Sequence, residues 1–168
     1  ITWKNTRLLL YESLKTLAIV VALITTCSAF GYMMTRLNIP AIVTKTLINL
    51  TDNRYLVFVI INLILLFLGM IMDMAPLILI ITPILLPVAA NFGMDPHHFG
   101  IVMMLNLGIG LLTPPVGTTL FVGCAIGKIR IEDMVKPMVP FYIAMIVTLV
   151  IITYFPPITM WLPNLFYK

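Results

Sequence analysis

Residues 99–126 would read as one apolar, membrane-crossing helix but for a run in their middle. Residues 108–119 are G-I-G-L-L-T-P-P-V-G-T-T. Pro114 and Pro115 each lack a backbone N–H and crowd the preceding turn. Gly108, Gly110 and Gly117 surround them and accept conformations that other residues resist. The helix is expected to end near Gly110 and to restart near Gly117. Such a break strands carbonyls at the end of one half-helix and N–H groups at the start of the next. Hydrocarbon cannot satisfy them, so the break survives at membrane depth only against protein or a polar cavity. Two readings fit: a proline-kinked helix packed on its neighbours, or an ion and solute site built on a broken helix, as in secondary transporters.

Composition places this break in a membrane. Of 168 residues, 61% are hydrophobic and 10% charged, and the mean hydropathy is +1.12. Several long apolar runs predict an all-α integral membrane protein. The net charge of +4 comes from ten basic residues that sit mainly at span ends. That is where orientation signals belong, and no basic cluster with interleaved aromatics points to nucleic acid. Cys27 and Cys124 both lie in apolar spans and read as small packing residues. The first residue is Ile and no signal-peptide pattern follows, so the chain is expected to start inside a larger protein.

Residues 1–15 read as a basic, amphipathic lead-in. Residues 16–34 complete a span, with Thr25, Thr26, Ser28 and Gly31 suited to close helix contact. Residues 36–53 are too polar to span. Pro40 is expected to start an interfacial helix with Ile42, Val43, Thr46, Leu47 and Leu50 on one side, and Lys45, Asn49 and Asp52 elsewhere. Residues 56–72 and 77–90 are two apolar limbs around Asp73-Met74-Ala75-Pro76. They form either two full spans or a re-entrant hairpin. In the first case Asp73 sits in a wet turn; in the second it is an intramembrane carboxylate, costly and usually functional. In the loop 91–98, Asp95-Pro96 reads as a helix start. His97 and His98 read as interfacial, because adjacent helical residues diverge by about 100° and make a poor shared metal site. Residues 128–136 form a charged connection and 138–155 the last span. Tyr154, Phe155 and Trp161 around Pro156 and Pro157 make an aromatic interfacial ending. Lys4, Arg7, Lys15, Lys128, Arg130 and Lys136 fall on one side, against Arg36, Lys45, Arg54 and Lys168 on the other. The positive-inside rule then puts the first side in the cytoplasm and the loop 91–98 outside.

An enzyme is not expected. Only two serines are present, Ser13 and Ser28, and no metalloprotease, nucleophile-elbow or phosphate-loop motif occurs. Ion and solute binding suits the residues better. Carbonyls of Gly110, Leu111, Leu112 and Thr113, with the Thr113 hydroxyl, suit Na⁺, a hard cation that prefers oxygen. The N–H groups of Gly117, Thr118 and Thr119 form a positive helix end suited to a substrate carboxylate. The limb turn repeats the layout: carbonyls at residues 68–70 end one helix, and Asp73 begins the next. Asn62, Asn106 and Thr82 are lesser candidates, equally suited to bridging helices.

Taken in order, G-x-x-x-D at 69–73, T-P-I-L-L-P at 82–87, G-M-D-P-H-H-F-G at 93–100, N-L-G-I-G-L-L-T-P-P-V-G-T-T-L-F-V at 106–122 and Y-F-P-P at 154–157 closely resemble the C-terminal part of the large membrane subunit of TRAP (tripartite ATP-independent periplasmic) transporters. The resemblance implies a re-entrant helical hairpin plus a discontinuous transmembrane helix, forming the second inverted repeat of a secondary transporter. Residues 1–53 would be a scaffold span and interfacial helix. Residues 54–127 would be the transport element, with its hairpin at 54–91 and its broken span at 96–127. Residues 128–168 would be connector, last span and interfacial C-terminus. It further implies a multi-pass protein of the bacterial inner membrane, with Na⁺ as coupling ion and no organic cofactor. The implied substrate is an organic acid such as sialic acid or a C4-dicarboxylate, handed over by a periplasmic solute-binding protein, and a small membrane subunit is the implied partner. Gly69, Asp73, Gly110, Thr113 and Pro114 carry over to Na⁺, and Gly117, Thr118 and Thr119 to substrate. A non-transporting assembly subunit, and an ion-coupled carboxylate transporter that needs no binding protein, are the alternatives.

Overall fold

The computed structural model describes residues 3–51 and 53–166. Asp52 and Lys168 lie outside the described residues, as do the side chains of Lys4 and Leu50. The described residues form eight helices: α1 (Trp3–Arg36), α2 (Ile39–Leu50), α3 (Arg54–Ile71), α4 (Met74–Asn91), α5 (Pro96–Leu112), α6 (Thr118–Gly127), α7 (Ile131–Tyr154) and α8 (Pro156–Phe166). Four of them, α1, α3, α4 and α7, contain stretches long and apolar enough to cross a membrane. Most large apolar side chains of α1 and α7 face outward, among them Leu17, Val21, Phe141 and Val147. That is the pattern of helices whose surroundings are apolar, not water.

α5 is the hub. Buried residues lie all round it (His98, Phe99, Val102, Met103, Asn106, Leu107, Ile109 and Gly110). α3 packs along one side of it, α4 along another, and α7 and α8 along the rest. The main apolar cluster joins Val57, Phe58, Ile61 and Leu65 of α3 to Leu77, Leu85 and Val88 of α4 and to Phe99, Met103 and Leu107 of α5. The two limbs around Asp73 therefore meet chiefly through α5 rather than through each other. Each limb has 18 residues, about 27 Å of helix, which is long enough to cross.

α1 and α2 both lean on α4. α1 is one continuous helix, so the basic lead-in and the span are a single element. Of its four small or polar candidates for close contact, only Gly31 is buried against α4. A methyl there would stand 3.5 Å from Cγ of Pro83. Cys27, one turn earlier, is buried beside it. Thr25 and Thr26 instead return their hydroxyls to their own helix, at the carbonyls of Val21 and Ala22, and with Ser28 they face outward. In α2 the buried face is Thr44 and Leu47, with Val43 half-buried, while Ile42 and Thr46 are exposed. Thr44 and Thr46 both return their hydroxyls to their own helix, at the Pro40 and Ile42 carbonyls, so it is the packing of α4 on α2 that selects the buried face.

The helix start at Asp95-Pro96 forms as its chemistry requires. Asp95 Oδ1 accepts the His97 N–H at 2.8 Å, and that bond holds its carboxyl below the ordinary carboxylate range. The charged connection is shorter than expected. α7 begins at Ile131, so Glu132 and Asp133 fill its first turn, where carboxylates complement the helix dipole. The aromatic ending is helical, with Trp161 exposed on α8 and the Tyr154 hydroxyl donating to the Tyr55 carbonyl at 2.9 Å.

Candidate functional site

The break in residues 108–119 is present. α5 ends at Leu112 with Thr113 as its cap, and α6 begins at Thr118 with Gly117 as its cap. Gly117 has φ +36°, a left-handed value that favours glycine. Each proline removes one intrahelical bond. Pro114 takes the donor that would have reached the Gly110 carbonyl, and Pro115 the donor for Leu111. The Gly110 carbonyl is recovered by the Thr113 N–H at 2.9 Å. The Leu112 carbonyl accepts the Tyr142 hydroxyl of α7 at 2.7 Å. Leu111 has prolines at both positions that could close back on its carbonyl, and among the described residues no hydrogen bond reaches it. The Thr113 hydroxyl donates to the Ile109 carbonyl at 2.7 Å, which leaves its lone pairs as acceptors.

The second break lies at Met72 and Asp73, between α3 and α4. Asp73 stands at the N-cap of α4, but its carboxylate makes no capping bond. The side chain is exposed. Its backbone carbonyl accepts the Leu77 N–H at 3.4 Å. Pro76 sits in the first turn of α4, where a missing N–H costs little.

Two contacts join the breaks. The Gly117 N–H donates to the Met70 carbonyl at 3.3 Å. Gly69 and Gly110 touch backbone to backbone: a methyl on Gly110 would lie 2.6 Å from the Gly69 carbonyl carbon, and one on Gly69 would lie 3.2 Å from Cα of Leu107. A side chain at Gly110 would run into backbone, and one at Gly69 would be tightly crowded against Leu107, so the small residues allow this close helix approach. Gly69 and Gly110, both expected to serve Na⁺, are thus also the point of closest helix approach, and the Gly110 carbonyl accepts the Thr113 N–H. The Gly117 N–H is committed to Met70, whereas Thr118 and Thr119, the other two residues expected to face a substrate, begin α6 with exposed side chains. Pro114 and Pro115 are joined by a cis peptide bond, with Pro114 half-buried.

The helix-bridging reading of the asparagines is the one the structure takes. Asn106 Nδ2 donates to Asn62 Oδ1 at 2.9 Å, and Asn62 Nδ2 donates to Thr153 Oγ1 at 3.0 Å. Thr82 returns its hydroxyl to Ile78 of its own helix. His98 is not interfacial in the sense of being wet. It is 1% exposed, held between the Thr159 hydroxyl and the Thr153 carbonyl. Nothing in the loop spacing separates it from exposed His97; only the packing of α8 on α5 does. Tyr142 and Met70 were also missed. A lone tyrosine in the middle of the last span was the available signal for the first. The second acts through its backbone, which sequence does not single out.

Residues 1–158 match the family described as DctM, the DctM component of the tripartite ATP-independent periplasmic transporters. The chain belongs to this family. Among its relatives, the "Uncharacterized protein YgiK" of Salmonella typhimurium is 47% identical over 94% of this chain and 36% of its own length. The isethionate TRAP transporter permease DctMQ of Oleidesulfovibrio alaskensis is 39% identical over 89% of this chain and 24% of its own. The sialic acid TRAP transporter large permease SiaM of Vibrio cholerae is 35% identical over 94% of this chain and 37% of its own. The chain thus spans about a third or less of the length of these relatives. The matched residues 1–158 of this chain include both helix breaks and the contacts that join them. The isethionate and sialic acid relatives are named as TRAP transporter permeases.

Proposed function

We propose that this chain contributes the second of two inverted repeats to the large permease subunit of a Na⁺-coupled TRAP transporter, which imports an organic acid such as sialic acid or a C4-dicarboxylate. In this reading the complete transporter lies in the bacterial inner membrane with a small membrane subunit. A periplasmic solute-binding protein delivers the acid. The relatives named for sialic acid and isethionate support an acidic organic substrate.

The observation that carries the reading is the Gly117 N–H to Met70 carbonyl bond. It ties the turn bearing Asp73 to the broken helix, so two helix ends with surplus oxygen share one neighbourhood. The Leu111 carbonyl cannot be satisfied within its helix, the Thr113 hydroxyl has lone pairs to offer, and the Asp73 carboxylate has no capping duty. Oxygen donors of this kind fit Na⁺, a hard cation held reversibly by carbonyls and carboxylate. The cation also offsets the Asp73 charge. On the other side of the break, the free first-turn N–H groups of α6 at Thr118 and Thr119 offer a carboxylate the positive end of a helix. Ion and acid then occupy opposite-sign ends of one interrupted helix, and each favours the binding of the other.

The test is uptake of radiolabelled sialic acid and C4-dicarboxylates by the complete complex, with Na⁺ exchanged for K⁺ at constant ionic strength. Uptake that needs Na⁺ and the binding protein supports the reading. Uptake indifferent to Na⁺ overturns the coupling. Uptake without a binding protein favours the binding-protein-independent alternative.

A further inference from the structure

The glycine contact is one end of the α3–α5 interface, and a polar contact lies further along it. Asn106 donates to Asn62, Asn62 donates to the Thr153 hydroxyl, and that hydroxyl donates to the Leu149 carbonyl at 2.7 Å. The single proton of Thr153 is committed to Leu149, so Thr153 accepts from Asn62. This fixes the orientation of both amides. His98 Nε2 donates to the Thr153 carbonyl at 3.3 Å. The ladder thus links α5, α3 and α7, with Asn106 at 0% and Thr153 at 2% exposure.

On α5, Asn106 and Gly110 are four residues apart and share a face. On α3, Asn62 and Gly69 are seven apart and also share one. Around these contacts the interface is aliphatic: Ile61 and Leu65 of α3 share one buried cluster with Met103 and Leu107 of α5. Aliphatic surfaces tolerate a slip along the helix axis; a buried amide pair does not, because a slip of one turn breaks its bond and strands both groups. We infer that Asn62 and Asn106 are positioning residues that set the axial register of α3 against α5, and through it the meeting of Met70 with Gly117. A second observation points the same way. Asn106 Oδ1 is buried and no hydrogen bond reaches it among the described residues. An interface built for stability alone would be better served by leucine there, since an unpartnered buried acceptor is a net cost.

The transport part of the test rests on the proposed Na⁺ coupling; the geometric part does not. In the complete permease complex on a cysteine-free background, Met70→Cys and Val116→Cys are introduced together and oxidised. A second variant adds Asn62→Leu with Asn106→Leu, which removes both amides and leaves no orphan. The expected result is a clear loss of cross-linking in the folded fraction. Without the cysteines, the leucine pair should raise the Na⁺ concentration for half-maximal uptake about tenfold. The substrate KM at saturating Na⁺ and the folded amount should stay near wild type. Cross-linking equal to wild type in the folded fraction overturns the inference, and so does a loss of uptake that merely tracks a loss of folded protein. Wild-type uptake indifferent to Na⁺ would sink the proposed function, while the cross-linking comparison would still decide the register.

Discussion

A methyl group on Gly110 would stand 2.6 Å from the carbonyl carbon of Gly69 and 2.7 Å from its Cα. The obstacle is backbone, so it cannot swing aside as a side chain would. Gly110→Ala is expected to force α3 and α5 apart, to destabilise the permease by about 1–3 kcal/mol, and to lower uptake at least tenfold. Gly108→Ala is the control, since a methyl at Gly108 meets nothing within 4 Å. It should leave the melting temperature unchanged or slightly raised, because alanine favours the helix. Equal damage from the two substitutions would show that the close approach does not matter.

Tyr142 braces the end of the broken helix through its hydroxyl on the Leu112 carbonyl. Tyr142→Phe keeps the ring and removes that bond, at a cost of about 1 kcal/mol. The expected result is a small fall in thermal stability and a several-fold loss of uptake. Full wild-type uptake by the phenylalanine variant would mean that the Leu112 carbonyl needs no holding.

Thr113 closes α5 with its hydroxyl on the Ile109 carbonyl. Thr113→Ala deletes one oxygen from the proposed cation set and one local bond. The half-saturating Na⁺ concentration should rise about tenfold, in keeping with the loss of one oxygen interaction worth about 1.4 kcal/mol. An unchanged Na⁺ requirement would remove Thr113 from the set.

Asp95 caps α5 outside the membrane-spanning segments. Its carboxyl is lowered from 3.8, first by the His97 backbone N–H, while desolvation works against the shift. A depressed folded value means that the carboxylate stabilises the fold above pH 3.8 and loses that contribution as pH falls through the lower, folded value. Asp95→Ala should therefore lower the melting temperature at about pH 7, and the difference from wild type should shrink in acid below pH 3.8. A difference that is constant with pH would contradict the cap.

The broken helix was legible in sequence because its cause is local: two prolines delete two named donors, and Gly117 takes the positive φ that restarts the chain. The cap at Asp95 was legible for the same reason. Long-range partners were not. Nothing local distinguishes Thr44 from Thr46, or His98 from His97, until α4 and α8 pack against one member of each pair. The proposed anion donors illustrate the same limit. Gly117, Thr118 and Thr119 look equivalent along the chain, yet Gly117 is withdrawn by Met70, which sits 47 residues earlier in the sequence.

The central claim is that Asp73 and the broken helix bind Na⁺ together. The most direct measurement is the melting temperature of the purified complete permease against Na⁺ concentration, with K⁺ holding ionic strength constant, for wild type and Asp73→Ala. Binding to the folded state alone stabilises by about 1.4 kcal/mol at ten times the dissociation constant. The expected result is a melting temperature that rises with Na⁺ in wild type and stays flat in Asp73→Ala. The variant should still fold, because the exposed Asp73 side chain has no capping bond to lose. Parallel curves for the two proteins would contradict the claim.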